Sequence, residues 1–191
     1  MKRSITAALA AVTGMAHADS NIKVYGDWAT MDINGYARTY TKSVGSKDIA
    51  VSVNFVASQC GDPSIQHIAS YPRESDDKER SMERVESNIR LTVDKEPAST
   101  WNEAIMNVQF EGSNRTSFSL FVLVGKGTVG QLINGTTLRV KVEDLDADRF
   151  SLNGSGKAIG DAYSRCLALD ADDNFFPVLE PGDSDDDYFS L

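Results

Sequence analysis

The residue set most suggestive of chemistry is Gly125-Lys126-Gly127-Thr128-Val129-Gly130, which directly follows the apolar run 118–124. G-x-G-x-x-G after a strand lets a pyrophosphate approach backbone N–H groups at a helix N-terminus. Glu143 and Asp144 end the next strand, close to where a ribose-binding acid would stand. The intervening segment argues against this use. Only 128–134 separates the last glycines from Gly135-Thr136-Thr137, a turn leading into a strand, whereas a crossover to a parallel neighbour needs about a dozen residues. Dinucleotide binding is not expected.

Asp144-Leu145-Asp146-Ala147-Asp148 places carboxylates at the first, third and fifth positions of a calcium loop. An EF-hand then needs Gly at the sixth position and Glu at the twelfth, where this chain has Arg149 and Ser155. Residues 170–174 fail in the same way, with Phe175 and Pro181 at those places. Both runs read as acidic turns, and Ca2+ at Asp144, Asp146 and Asp148 is the one cofactor left open. Otherwise none is expected.

Nucleophilic catalysis through a Ser-His-Asp set depends on histidine, and the chain has two. His17 falls in an N-terminal segment with the features of an export signal: basic Met1-Lys2-Arg3, an apolar stretch 5–15, and the small-x-small Ala16-His17-Ala18. Cleavage after Ala18 leaves His67 alone. Ile65, Ile68 and Tyr71 around it suggest a strand, and no G-x-S-x-G supplies an exposed nucleophile. A zinc site wants three or four N or S ligands, and none assembles here. Paired carboxylates stay open, since acids are abundant and their separation is invisible in sequence.

Cys60 and Cys166 are an even pair in a chain expected to meet an oxidising compartment, so a disulfide is the default. Trp28 and Trp101 read as core or rim aromatics before ligand platforms.

The elements that must position these residues are mostly strands. Alternation marks strands over 21–28, 49–57, 65–71, 89–93, 105–110 and 138–142. The pair Asn34-Gly35 suits a tight hairpin before a polar strand over 36–43. The nearly all-apolar run 118–124 suggests a central strand covered on both faces, and 150–152 a short strand entering a helix over about 155–169. Turn residues punctuate these runs every ten or so positions, as in a sandwich or barrel. The expectation is an antiparallel β-sandwich, jelly-roll-like, with a C-terminal helix. Its bounds are a leader at 1–18, one domain at 19–180 and a disordered acidic tail at 181–191. The mixed-charge segment 73–86 reads as a solvated helix or long hairpin tip, with Asp76 and Arg80 at i,i+4 spacing.

Charge narrows the partners. The formal net charge is −9, and removing Lys2 and Arg3 leaves 17 basic against 28 acidic residues, a net of −11. That sign argues against nucleic acid and against docking on anionic lipid. No stretch reaches the ~20 apolar residues of a spanning helix.

Several short motifs, in order, resemble the invasion-associated locus B family of small exported bacterial proteins. They are the leader, Gly26-Asp27-Trp28, Gly35-Tyr36-Ala37 with Thr39, Ala69-Ser70-Tyr71-Pro72, Leu91-Thr92-Val93-Asp94-Lys95-Glu96-Pro97 and Gly135-Thr136-Thr137-Leu138-Arg139-Val140. The closing set is Phe150-Ser151-Leu152-Asn153-Gly154-Ser155, Ala158-Ile159 and Cys166. Members of that family often carry a cysteine soon after the first tryptophan; here Ala29, Thr30, Met31 and Asp32 follow Trp28, so Cys60 stands as the substitute partner. The resemblance implies an exported β-sandwich without known catalytic machinery, linked in some bacteria to host-cell contact.

The function expected is that of a periplasmic or secreted, non-enzymatic binding or accessory protein with a basic protein partner. An inhibitor of a basic enzyme is one form of it. Trp28, Trp101, Phe150, Leu152, Gly154 and Ser155 are the candidate binding or signature residues, each with a structural explanation in holding the fold. The alternatives are a hydrolase using clustered carboxylates or His67, and a purely structural envelope component.

Overall fold

The computed structural model describes residues 22–33 and 35–173. The expected leader, 1–18, and acidic tail, 181–191, lie outside these residues, as does Asn34 of the expected Asn34-Gly35 turn.

Ten strands and two helices follow in chain order: β1 (Lys23–Tyr25), β2 (Trp28–Ile33), β3 (Tyr36–Lys42), β4 (Ile49–Val56), β5 (Ser64–Pro72), β6 (Arg80–Val93), β7 (Glu96–Glu111), β8 (Arg115–Leu123), α1 (Lys126–Asn134), β9 (Thr137–Val142), β10 (Asp148–Ser151) and α2 (Ser155–Asp173). The strands join in one antiparallel sheet, ordered β1-β2-β3-β4-β5-β8-β7-β6-β9-β10. β5 crosses to β6, and β6, β7 and β8 return as hairpins that bring β8 beside β5, which is a Greek key. The fold is mainly antiparallel β with a C-terminal helix.

Period-two alternation decides which face is buried. Val51 and Val53 of β4, Ile65 of β5, Leu120 of β8, Leu91 of β6, Val140 of β9 and Phe150 of β10 all turn inward and are at most 2% exposed. Ala158, Ile159, Ala162 and Cys166 of α2 join the same core, across β2, β3 and β4. The sheet curls until its β10 edge reaches the end of β3. Ser43 bridges Phe150 there, and the Val44 N–H donates to the Arg149 carbonyl at 2.8 Å. The layers of the sandwich are thus two parts of one continuous sheet.

Four local expectations change. The strand over 21–28 is broken at Gly26-Asp27, where Gly26 takes φ 60° and the chain turns from β1 into β2. The segment 73–86 is neither helix nor hairpin tip. Its first half lies along β7 and β8, with the Arg73 guanidinium 3.4 Å above the Phe110 ring centre and the Thr116 hydroxyl donating to Asp77 at 2.6 Å. Its second half opens β6, because cross-strand bonding to β7 satisfies more backbone groups than an isolated helical turn would. β8 is central but not covered on both faces, since Leu123 is 71% exposed. Finally, 126–134 is a helix. Gly127 and Gly130 weaken its propensity, and burial of Leu132 together with a bond from the Ser155 hydroxyl to the Leu132 carbonyl at 2.7 Å holds it.

Candidate functional site

His67 and Asp148, far apart in sequence, meet where the sheet curls over. His67 sits mid-strand in β5, between Val51 of β4 and Leu120 of β8. Its side chain therefore shares the core face with those two buried residues. Asp148 opens β10 on the facing side. His67 Nε2 lies 2.8 Å from Asp148 Oδ2, with the side chains 10% and 23% exposed. The Phe150 ring stands edge-on to the imidazole, centroids 6.4 Å apart.

A histidine held by a carboxylate is two-thirds of a nucleophilic triad, and the third part would have to contact the other ring nitrogen. Nδ1 of His67 is buried and has no hydrogen-bond partner. Among the described residues no hydroxyl or thiol is placed to give it a proton. What the pair does in this arrangement is to tie β5 to β10 across the core.

The pairing also separates the aspartates of the run 144–148, read as an acidic turn with calcium left open. Asp144 and Asp146 stand exposed on the β9–β10 turn, while Asp148 turns inward to His67. Among the described residues no cluster of three or more His, Cys, Asp or Glu side chains is placed to hold a metal ion. Residues 170–173 belong to α2, whose helical backbone is not a calcium loop. The glycines 125, 127 and 130 open α1, but β8 before them pairs antiparallel with β5 and β7, and β9 pairs antiparallel with β6. No parallel crossover exists at this place.

The signature residues converge on one corner. The Asp27 N–H donates to the Asn153 carbonyl at 3.0 Å, and the Trp28 indole N–H to the Ser151 carbonyl at 2.8 Å. The Ser151 hydroxyl donates to Asp27 at 2.6 Å. Gly154 adopts φ 90°, and an added Cβ would strike the Tyr25 carbonyl, so the β1–β2 turn and the turn into α2 interlock. Beside them the Thr136 hydroxyl and the Thr136 and Thr137 N–H groups donate to the Asp94 carboxylate, which fastens the β6–β7 turn to the start of β9. These bonds, the Thr136 hydroxyl foremost, hold the Asp94 carboxyl below the usual carboxylate range. Trp28 (1% exposed), Phe150 (0%) and Leu152 (3%) are inside this corner. Ser155 is buried there too, while Trp101 sits half-buried on β7, its indole donating to the Leu123 carbonyl at 3.0 Å.

Cys60 and Cys166 place their sulfurs 2.03 Å apart, joining the β4–β5 turn to α2. At a sequence separation of 106, such a bond restricts the unfolded chain by about 4–5 kcal/mol.

One constellation carried no sequence signal. On the outer face of the sheet, Arg38 of β3 is only 9% exposed, and it donates to Asn54 at 2.7 Å and to Gln66 at 2.8 Å. Ser52 bonds both amide oxygens, at 3.3 and 3.2 Å. Burial lowers the Arg38 pKa from its ordinary value. Only the pairing of β3, β4 and β5 brings these four residues together, so no spacing in the chain announces them.

No helix among the described residues is long and apolar enough to cross a membrane. No protein-family model and no curated protein matches the sequence. Among solved structures, the chain is similar to the crystal structure of invasion associated protein B from Bartonella henselae, at 18% sequence identity and a TM-score of 0.48, over 80% of this chain and 99% of that one.

Proposed function

We propose that the chain is an exported binding or accessory protein that acts through its surfaces and carries no catalytic centre. The observation that supports this most is the condition of His67. The histidine left after leader cleavage is bound to Asp148 inside the core, with Nδ1 buried and offered no nucleophile. The cysteines are paired with each other, and the signature residues other than Trp101 are packed or bonded in the corner. On this reading the leader directs the chain to the periplasm or beyond, where the disulfide forms.

The acidic exterior favours a basic protein partner, with complementary charge raising the rate of encounter. Contact with a host cell, or inhibition of a basic enzyme, are the concrete forms this takes. Capture from envelope extract and from host-cell surface extract, at low and at moderate salt, tests the proposal. A basic partner retained at low salt and released at moderate salt is expected. No salt-sensitive partner, or turnover of glycans or peptides that disappears in His67→Gln, would overturn it.

A further inference from the structure

The outer face of β6, β9 and β10 gathers four cations on a chain whose formal net charge is −9. Arg90 of β6 stands directly opposite Lys141 of β9, and Arg139 of β9 directly opposite Arg149 of β10. Arg139 and Lys141 are two residues apart on one strand, so they project to the same side. Their neighbours Leu138, Val140, Leu91 and Phe150 are buried on the core face, which puts the cations on the outside. The stripe runs about 10 Å across three strands and about 7 Å along them, from ordinary strand spacing and rise.

Arg90, Arg139 and Arg149 are exposed and Lys141 is half-buried. None of the four forms a salt bridge among the described residues. Arg139 donates only to a backbone carbonyl, that of Asp94, at 3.4 Å. Three carboxylates, Asp94, Glu143 and Asp144, border the stripe, and none forms a salt bridge to it among the described residues. Asp94 is taken by Thr136 and Thr137, and Glu143 accepts the Asn88 N–H at 2.8 Å. Asp144 lines one groove together with Asn88, Arg90, Lys141 and Glu143. Like charges placed directly opposite in a sheet work against folding. Two such pairs stand side by side here, and an anionic ligand laid across them would relieve their repulsion.

We infer that this face binds an anionic polysaccharide, a linear chain bearing sulfate or carboxylate groups at intervals. Charge complementarity supplies the attraction, and the residues between the cations fit sugar. Thr92 stands opposite Arg139 and Thr100 opposite Arg90, giving hydroxyls for polar contact. No aromatic residue of β6, β9 or β10 faces outward here, Phe150 being in the core, so the stacking that single-stranded nucleic acid uses is missing. Large apolar side chains that would enter a lipid interface are missing from the stripe as well.

The test uses the full chain after export, with heparin and polyglucuronate as probes. A single-stranded DNA oligonucleotide, vesicles containing phosphatidylglycerol, and neutral dextran serve as comparisons. The substitution Arg90→Gln/Arg139→Gln/Arg149→Gln removes three of the four cations and both like-charge contacts, so its melting temperature should equal or exceed that of the wild type. Arg80→Gln/Arg84→Gln, which removes two cations already paired with Glu83 and Glu103, is the control for loss of positive charge elsewhere on β6. The wild type should bind heparin or polyglucuronate with an affinity that falls steeply with salt. The triple variant should lose at least tenfold, and the control less than twofold. The inference is overturned if the wild type ignores both polysaccharides at low salt, or if the triple variant binds them as well as the wild type. It is equally overturned if the oligonucleotide or the vesicles bind more tightly than either polysaccharide.

Discussion

His67 shows how the same two side chains carry opposite meanings according to what surrounds them. Its bond to Asp148 would orient a catalytic imidazole if Nδ1 faced a hydroxyl, but Nδ1 faces the core. Breaking the pair should then be a stability event. His67→Leu leaves the Asp148 carboxylate without its partner, at a cost of about 1–3 kcal/mol, read as a lower denaturation midpoint. Gly154 and Gly130 make a contrasting pair. Gly154→Ala forces a side chain onto the Tyr25 carbonyl at φ 90° and should cost about 3 kcal/mol or more. Gly130→Ala meets open space inside α1 and should stabilise by about 0.5–1 kcal/mol. Asp94 carries a pH signature. Its folded pKa is depressed, so its contribution is complete above the unfolded value of about 3.9 and is lost as pH falls through the folded one. Acid titration of stability for Asp94→Asn should be flatter below pH 4 than for the wild type.

At the scale of elements, strands were legible wherever one face is buried and the other wet. β4, β5 and β9 follow the alternation of their residues to within a residue or two, because a half-buried strand writes its period directly into the chain. α1 was not legible. Nine residues with two glycines have little propensity of their own, and the helix exists through Leu132 and the Ser155 hydroxyl, which come from the fold. The opening of β6 was hidden for a related reason, since charge density speaks of exposure and not of backbone pairing. The sulfur bridge is the element-scale fastening most open to test. Reduction, or the double substitution Cys60→Ser/Cys166→Ser, should cost about 4–5 kcal/mol in the chain-entropy account, seen as a shift in the denaturant midpoint with the far-ultraviolet spectrum retained.

Over the whole molecule, the sequence motifs shared in the family resemblance turn out to touch one another. Gly26-Asp27-Trp28 meets Ser151, Asn153 and Gly154, while Asp94 meets Thr136 and Thr137, although more than forty residues separate each pairing. Sequence reading could name those residues but not their contacts, because sheet order is set by long-range pairing. The same limit hid the His67–Asp148 pair and the cation stripe, whose β9 half is visible only as Arg139 and Lys141 alternating with apolar residues. In the proposed function the exterior is the working part of the molecule, in keeping with a closed corner, a paired histidine and a bridged cysteine pair. The most direct measurement takes His67→Gln, verified as folded by its melting transition, through both salt-dependent partner capture and hydrolase screens beside the wild type. The account predicts undiminished capture and no turnover by either protein; turnover by the wild type that His67→Gln abolishes would contradict it.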